Sequence, residues 1–325
     1  MNEHLGFLLP ILRSLKIFRA FFLDAARFAR HSNSIDVNGT KGRMMANITY
    51  QYHVVEKGLT MPNRRWNFGH AKILPLINDC NQFINRYGTE NDELRGAVGV
   101  LKTYLDEHAA HGIDVPDKIS IPIITLAQRV PDVGPVQQKK RTREEYFSKA
   151  SANFSDFSRS RASVRNYSEA KIPIEIMLEA VDIAKSAPSA CNRQATRVYI
   201  IQEREKIDKA LTYQNGNLGF GHLADKLIIL TSDISSFRGA NERNFAWMDC
   251  GIFAMNLMYA LHHLKIGTCP LNAGISSATE NKIRELCEIP PEEIVCLFIS
   301  CGYLPDQIDL ANSERKRTEE IVRLR

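Results

Sequence analysis

Three short stretches in the carboxy-terminal half carry side chains whose type and spacing suit chemistry. Arg161 and Arg165 stand four residues apart with Ser163 between them. Two planar guanidinium forks and a hydroxyl can converge on a phosphate, which arginine grips through paired N–H donors. Taken alone, the same residues would read first as a solvated basic turn. The second stretch runs Ala187-Pro188-Ser189-Ala190-Cys191-Asn192-Arg193-Gln194. Its Ser189, Asn192 and Gln194 supply a hydroxyl and two amides, neutral groups able to address a carbonyl and N–H edge. The plainer reading is a polar turn after a helix that Pro188 ends. In the third stretch, Gly267-Thr268 lets backbone come close to a ligand, and Pro270, Leu271 and Asn272 follow to line it. A helix C-cap with its loop would look similar.

Other chemistries lack their parts. No Ser-His-Asp set, phosphate-binding P-loop or G-x-G-x-x-G is evident, and no acid–base residue stands out, so the catalytic residues stay unassigned. His108 and His111 have metal-compatible spacing, but no third ligand accompanies them and Gly112 follows directly. They read as histidines decorating a helix C-terminus, where partial positive charge is favourable, and no metal is expected. His53 and Glu56 would share a helix face. They could line a ligand site or, more simply, form a buried network joining the amino-terminal region to the core. The seven cysteines are odd in number, form no C-x-x-C pair and sit mostly in apolar runs. That usage suits reduced thiols in a cytoplasm.

The elements that must position these groups divide near residue 150, into 1–150 and 151–325. Ile48 to Leu105 has helical periodicity, Ile119 to Leu126 is a short apolar segment around Pro122, and Pro131 to Arg143 reads as a solvated linker with the basic run Lys139-Lys140-Arg141. Beyond residue 160, helices and strands alternate. Ile174 to Ser186 is an amphipathic helix, and Thr196–Gln202, Lys226–Thr231 and Val295–Ser300 are strands. Thr279 to Cys287 is a helix capped by Ser276 or Ser277. Asn241 to Leu264 is one long helix. Its Trp247, Met248, Cys250, Ile252, Phe253, Leu257 and Leu261 point in nearly every direction, which predicts burial all round, by a subunit interface or by a central core position.

Composition bounds the rest. With 325 residues, 44% hydrophobic and 24% charged, the chain can bury a sizeable core, and a net charge of +5 is too diffuse to point to nucleic acid. Residues 5–30 are apolar but interrupted by Pro10, Arg13, Lys16, Arg19, Arg27 and Arg30. These charges exclude a spanning helix, and the uninterrupted apolar region and small-residue cleavage site of a secretory signal are not evident. The favoured reading is a helix packing its apolar face on its own protein, and a weak membrane-surface contact is the other.

Read together, the three stretches resemble the nitroreductase family. Arg161-Ala162-Ser163-Val164-Arg165-Asn166-Tyr167 is similar to its R-x-S-x-R-x-F/Y opening, and Ala187 to Gln194 to its A-P-S-x-x-N-x-Q segment. Asp249-Cys250-Gly251 with Asn256-Leu257, then Ile266 to Leu271, then Cys301-Gly302-Tyr303, follow in the family's order over residues 158–325. The resemblance implies an α+β fold with a central, mostly antiparallel sheet flanked by helices, behind a mainly helical amino-terminal extension. It also implies an intertwined homodimer with FMN at the interface and NADH or NADPH as electron donor. Arg161, Ser163 and Arg165 would then hold the FMN phosphate. Pro188, Ser189, Asn192, Gln194, Gly267, Thr268, Pro270, Leu271 and Asn272 would line the isoalloxazine ring. A basic residue of Arg315-Lys316-Arg317, with Arg315 and Arg317 as candidates, would reach the phosphate from the carboxy terminus. Many nitro-reducing members have an acidic residue where this chain has Asn272, which bears on the electron donor and acceptor. His53-x-x-Glu56-Lys57-Gly58-Leu59 followed by Phe68-Gly69 resembles the extension of nitroreductase-like proteins associated with polysaccharide biosynthesis.

Two function classes follow. One is an FMN-dependent oxidoreductase acting on a small organic substrate, such as a modified sugar or its precursor. The other is an accessory protein, with or without flavin, that uses the dimeric scaffold to hold biosynthetic partners; a fold resemblance does not choose between them.

Overall fold

The computed structural model describes residues 2–32, 39–136 and 138–325, with backbone alone for 2–9. Gln137 of the expected linker lies outside the described residues, as do the side chains of Leu5 to Leu9. The chain forms two compact units. One comprises residues 1–26 and 140–308, the other 27–139 and 309–325. A division was expected near residue 150. Here the chain changes unit at 139/140, within strand β1 (Lys139–Thr142), and again at 308/309, within β6 (Gln307–Leu310). These two strands pair. The basic run read as a solvated linker is therefore a strand, although Lys139, Lys140 and Arg141 stay exposed.

The first unit is built on a four-stranded sheet in the order β2-β3-β5-β4, formed by Thr196–Ile201, Lys226–Asp233, Glu293–Gly302 and Gly267–Asn272. Every neighbour pair is antiparallel. β3 is buried along nearly its whole length, as its continuous apolar run requires. Register places Ile229 between Tyr199 and Phe298, and Thr268 opposite Cys301. α8 (Ile174–Ala184) and α10 (Phe245–His263) share one apolar cluster with the sheet, in which Met177, Ala180, Leu257 and Leu261 meet Ile228, Leu230 and Ile299. α11 (Ser277–Cys287) starts at Ser276, whose Oγ accepts from the Thr279 N–H.

Of the two expectations for α10, the central core position is not met within this chain. Cys250, Leu257 and Leu261 are buried, but Trp247, Met248 and Ile252 are 50%, 50% and 41% exposed. The exposed residues lie in the first two turns, whereas Leu257, Met258, Leu261 and His262 further along are buried, so this chain leaves open one side of the first half of the helix.

The amino-terminal α1 (Asn2–His31) also departs from its favoured reading. Its large apolar residues do not pack on the protein: Leu15, Phe18 and Phe22 are 59%, 72% and 71% exposed. What is tied down is a polar residue, Asp24, bonded in bidentate fashion by Arg243.

The second unit is helical: α2 (Lys41–Leu59), α3 (His70–Tyr87), α4 (Asp92–Ala110) and α5 (Asp117–Arg129) enclose Met44, Ile48, Leu76, Phe83, Leu101 and Ile123. Thr40 and Asn91 cap α2 and α4 by accepting N–H bonds from Arg43 and Leu94. Gly58 is required because a Cβ there would lie 2.1 Å from the Phe68 ring, so the spacing of the Gly58 and Phe68-Gly69 motifs is a packing constraint. His53 Nδ1 lies 2.9 Å from Glu56 Oε2, and the other Glu56 oxygen accepts from the Ser313 N–H at 3.0 Å. This is a network, but it ties the pair to residues 309–325 of the same unit and not to the sheet unit.

His108 and His111 do end α4, in its last turn and at its C-cap, but His108 is not a charged decoration. It is fully buried, with Nδ1 2.7 Å from the Tyr104 carbonyl and Nε2 accepting the Asn67 N–H at 2.9 Å. Burial lowers its pKa, so the ring stays neutral and gains nothing from the helix dipole.

Candidate functional site

Residues 161–169 follow α7 (Phe154–Ser160) without helix or strand, and the sheet unit holds them by backbone. The Val164 N–H donates to the Thr268 carbonyl at 2.9 Å, bringing the first and third stretches together. Ser168 N–H donates to the Tyr303 carbonyl at 2.8 Å. Tyr167 lies beneath, its hydroxyl 3.0 Å from the Val164 and Ser300 carbonyl oxygens and 2.9 Å from Ser300 Oγ. Burial drives that phenol's pKa well up, so it stays a neutral hydrogen-bonding anchor. Gly302 makes the room, since a Cβ there would sit 2.6 Å from the Tyr167 ring. On the other side, Tyr146 donates to the Ala162 carbonyl at 2.7 Å and accepts the Ala162 N–H at 3.2 Å.

This scaffold holds two arginines in an unusual state. Arg165 is only 8% exposed, and among the described residues no carboxylate pairs with it. The Nη1 of Arg161 is buried without a hydrogen-bond partner. Buried cations are ordinarily paired, because an unpaired one carries its desolvation penalty uncompensated. The buried Arg165 and the half-buried Arg161, four residues apart with Ser163 between them, have the donor set an anionic ligand would satisfy.

His262 stands beside them, and its significance is not visible in the sequence. It is 1% exposed, its Nε2 lies 2.8 Å from Ser160 Oγ, and its Nδ1 is buried without a partner. Its ring is ringed by Tyr146, Phe147 and Phe157 at centroid distances of 5.2, 5.5 and 5.5 Å. Burial, helped by the positive charge of Arg161, lowers its pKa to about 4. In sequence it is one of two adjacent histidines ending a helix, and only burial separates it from His263.

The second stretch folds as a fastened, strained turn. Cys191, Asn192 and Gln194 have φ of 53°, 55° and 50°, a region that costs about 1 kcal/mol or more for each non-glycine residue. Ser189 Oγ accepts the Gln194 N–H at 3.0 Å, and Asp249 of α10 accepts the Ala190 N–H at 2.9 Å. Arg193 clamps the turn through the Ala190 and Ser236 carbonyls and Glu242, the last at 2.7 Å. Pro188, Asn192 and Gln194 remain exposed, with the two amides 3.2 Å apart. Such turns persist only where surrounding bonds over-determine them, and they cluster at ligand sites.

The third stretch is strand β4, where sequence patterning had offered a cap and loop. Gly267 is needed because a Cβ would lie 2.2 Å from Leu304 Cδ2 and 3.3 Å from the Gly302 carbonyl. Thr268 and Leu271 are buried, Pro270 is half-buried and Asn272 is exposed. The Asn272 carbonyl accepts from Gln214 Nε2 at 2.9 Å, and its side chain accepts the Gly274 N–H. No hydrogen bond between described residues joins the 188–194 turn to the 161–165 segment. Arg315 and Arg317 belong to the helical unit, where Arg317 Nε lies 3.1 Å from Asp92, Lys316 pairs with Glu93 at 3.1 Å, and Arg315 is exposed.

Residues 158–215 and 208–303 match the model of the nitroreductase family. Among curated relatives, the chain is 27% identical over 158 residues to a protein of Archaeoglobus fulgidus provisionally named an NADH dehydrogenase/NAD(P)H nitroreductase, covering 47% of this chain and 87% of that one. It is 23% identical over 211 residues to a chloronitrobenzene nitroreductase of Comamonas testosteroni, covering 50% and 92%. Among solved structures, a nitroreductase family protein of Streptococcus pneumoniae superposes with a TM-score of 0.46 at 22% identity, over 53% of this chain and all of that one. The family likeness therefore resides in residues 158–303, in the sheet unit.

Proposed function

We propose that this protein is an FMN-dependent oxidoreductase that takes electrons from NADH or NADPH and passes them to a small organic acceptor. The observation that carries this reading is the buried Arg165, without a carboxylate partner among the described residues, together with the half-buried Arg161 and its orphaned Nη1. The residues present fit the cofactor. Arg161, Arg165 and Ser163 would hold its phosphate, Ser189, Asn192 and Gln194 would address its polar ring edge, and Gly267 to Asn272 would lie along the ring. Bound flavin supplies the hydride-accepting and hydride-donating chemistry, while the protein orients, tunes and excludes competing reactions. Arg315 or Arg317 would be the further basic residue on the phosphate.

The exposed Trp247, Met248 and Ile252 of α10 support a homodimer, since an apolar helix face of this kind is ordinarily covered. In such a dimer the 188–194 turn and the 161–165 segment would complete a site contributed by both copies. For the acceptor we favour a small molecule of polysaccharide biosynthesis, on the strength of the His53 to Leu59 and Phe68-Gly69 segments, and for location the cytoplasm, on the strength of the cysteine usage. No helix of the described residues is long and apolar enough to cross a membrane.

The test is the absorption spectrum of the purified full chain, followed by anaerobic titration with NADH and NADPH. Flavin bands that bleach support the reading. A colourless protein that fails to take up added FMN overturns it and leaves a scaffold for biosynthetic partners.

A further inference from the structure

Along α1, Ile11, Leu15, Phe18 and Phe22 recur at steps of four, three and four, which stacks them into one stripe. They are 45%, 59%, 72% and 71% exposed. A surface helix ordinarily turns such a stripe inward and its charges outward. Here the arrangement is reversed. Asp24, on the far side of the helix, is bonded by Arg243 at 2.6 and 2.9 Å, so that side is anchored at one residue and the stripe faces out, with Ile17, Phe21 and Phe28 beside Asp24 exposed as well. Asp24 is also the one acid between Pro10 and His31, and that ion pair neutralises it. The exposed charge of the segment is then positive throughout, from Arg13, Lys16, Arg19 and Arg30 beside and behind the stripe.

We propose that α1 docks the protein flat on an anionic lipid surface, a role separate from the flavin chemistry. Phe18, Phe22, Leu15 and Ile11 enter the boundary between headgroups and acyl chains, and the cations face lipid phosphates. Charge decides between this occupant and a second copy of the chain. Stripe packed on stripe would bring two sets of arginines and lysines together, whereas an anionic bilayer complements them. Residues 11–31 would cover about 31 Å at 1.5 Å per residue, long enough to lie in the interface.

The experiment is co-sedimentation of the full chain with vesicles of phosphatidylcholine alone and of phosphatidylcholine mixed with phosphatidylglycerol. The chain is expected to pellet with the mixed vesicles at low salt, to be released by high salt, and to ignore the neutral ones. The double variant Phe18→Ser with Phe22→Ser should lose roughly a hundredfold in partitioning, as two exposed aromatic side chains no longer enter the lipid. The triple variant Arg13→Glu, Lys16→Glu, Arg19→Glu should lose at least as much, at roughly fivefold for each cation removed. Both variants alter exposed positions, and unchanged circular dichroism would show that they fold. Failure of the parent chain to pellet, or variants that pellet like it, would sink the proposal. So would a change in sedimentation coefficient of the double variant without vesicles, because the stripe would then join copies of the chain.

Discussion

Replacing His262 by glutamine should flatten the acid side of the protein's stability curve. The native ring titrates at about 4, while an unfolded histidine titrates near 6.5. Below pH 6.5 the unfolded chain therefore takes up a proton that the native state refuses. Stability from this residue is fully present above 6.5, declines as pH falls, and is gone near pH 4. At about 1.36 kcal/mol per unit, the gap of roughly 2.5 units amounts to about 3 kcal/mol. Glutamine keeps an N–H donor for Ser160 and cannot titrate. At pH 7 the variant should be the less stable, by about 1–2 kcal/mol for the lost ring contacts. By pH 4 the order should reverse, as the parent loses its extra 3 kcal/mol. Urea unfolding of both proteins at intervals between pH 7 and pH 4 reads this directly. Carboxylates titrate in both and cancel in the difference. Parallel curves, with a difference that changes by less than about 1 kcal/mol over that range, would refute the picture of a buried neutral His262 beside Arg161.

Other substitutions test the site and its frame. Arg165→Gln should weaken FMN uptake roughly 10- to 100-fold, read by quenching of flavin fluorescence, since a charge-assisted contact of about 1.5–3 kcal/mol is lost; unchanged affinity would remove Arg165 from the phosphate site. Gly302→Ala should destabilise the fold by about 1–3 kcal/mol in denaturant titration, because the new methyl meets the immobile Tyr167 ring. Cys191→Gly should leave stability unchanged or raise it by up to about 1 kcal/mol, as glycine takes the left-handed backbone without penalty; a clear loss would mean that the exposed thiol makes a contact of its own.

Much of the sheet unit was legible because its strands are apolar and its turns are punctuated. β2, β3 and β5 announce themselves as β-branched runs, and Ser276 marks the start of α11. β4 was not read as a strand, since Gly267, Pro270 and Asn272 all weaken strand patterning. It persists because it is an edge strand paired with β5 alone, where the missing N–H of Pro270 is tolerated. Periodicity also shows which residues of a helix are apolar but not which side finds a partner within the chain, so neither the exposed stripe of α1 nor the open side of α10 could be told from its sequence. The arginine spacing was visible in sequence, while the lack of a countercharge at Arg165 depends on the distant elements packed around it. His108 and His262 were opaque for the same reason, because a histidine's neutrality is decided by burial that long-range packing creates.

The helical unit has a consequence for the order in which the chain can fold. Its first 113 residues, 27–139, are made long before its last 17, 309–325, with residues 140–308 of the sheet unit synthesised in between. Glu56, 2% exposed in the finished protein, must wait for the Ser313 N–H, and Glu93 must wait for Lys316. Until residues 309–325 emerge, Glu56 has His53 and Glu93 has Asn91, but each lacks its partner from the carboxy-terminal segment. The carboxy-terminal segment thus acts as a closing stitch, and the nascent helical unit would be at its most vulnerable to proteases during synthesis of residues 140–308.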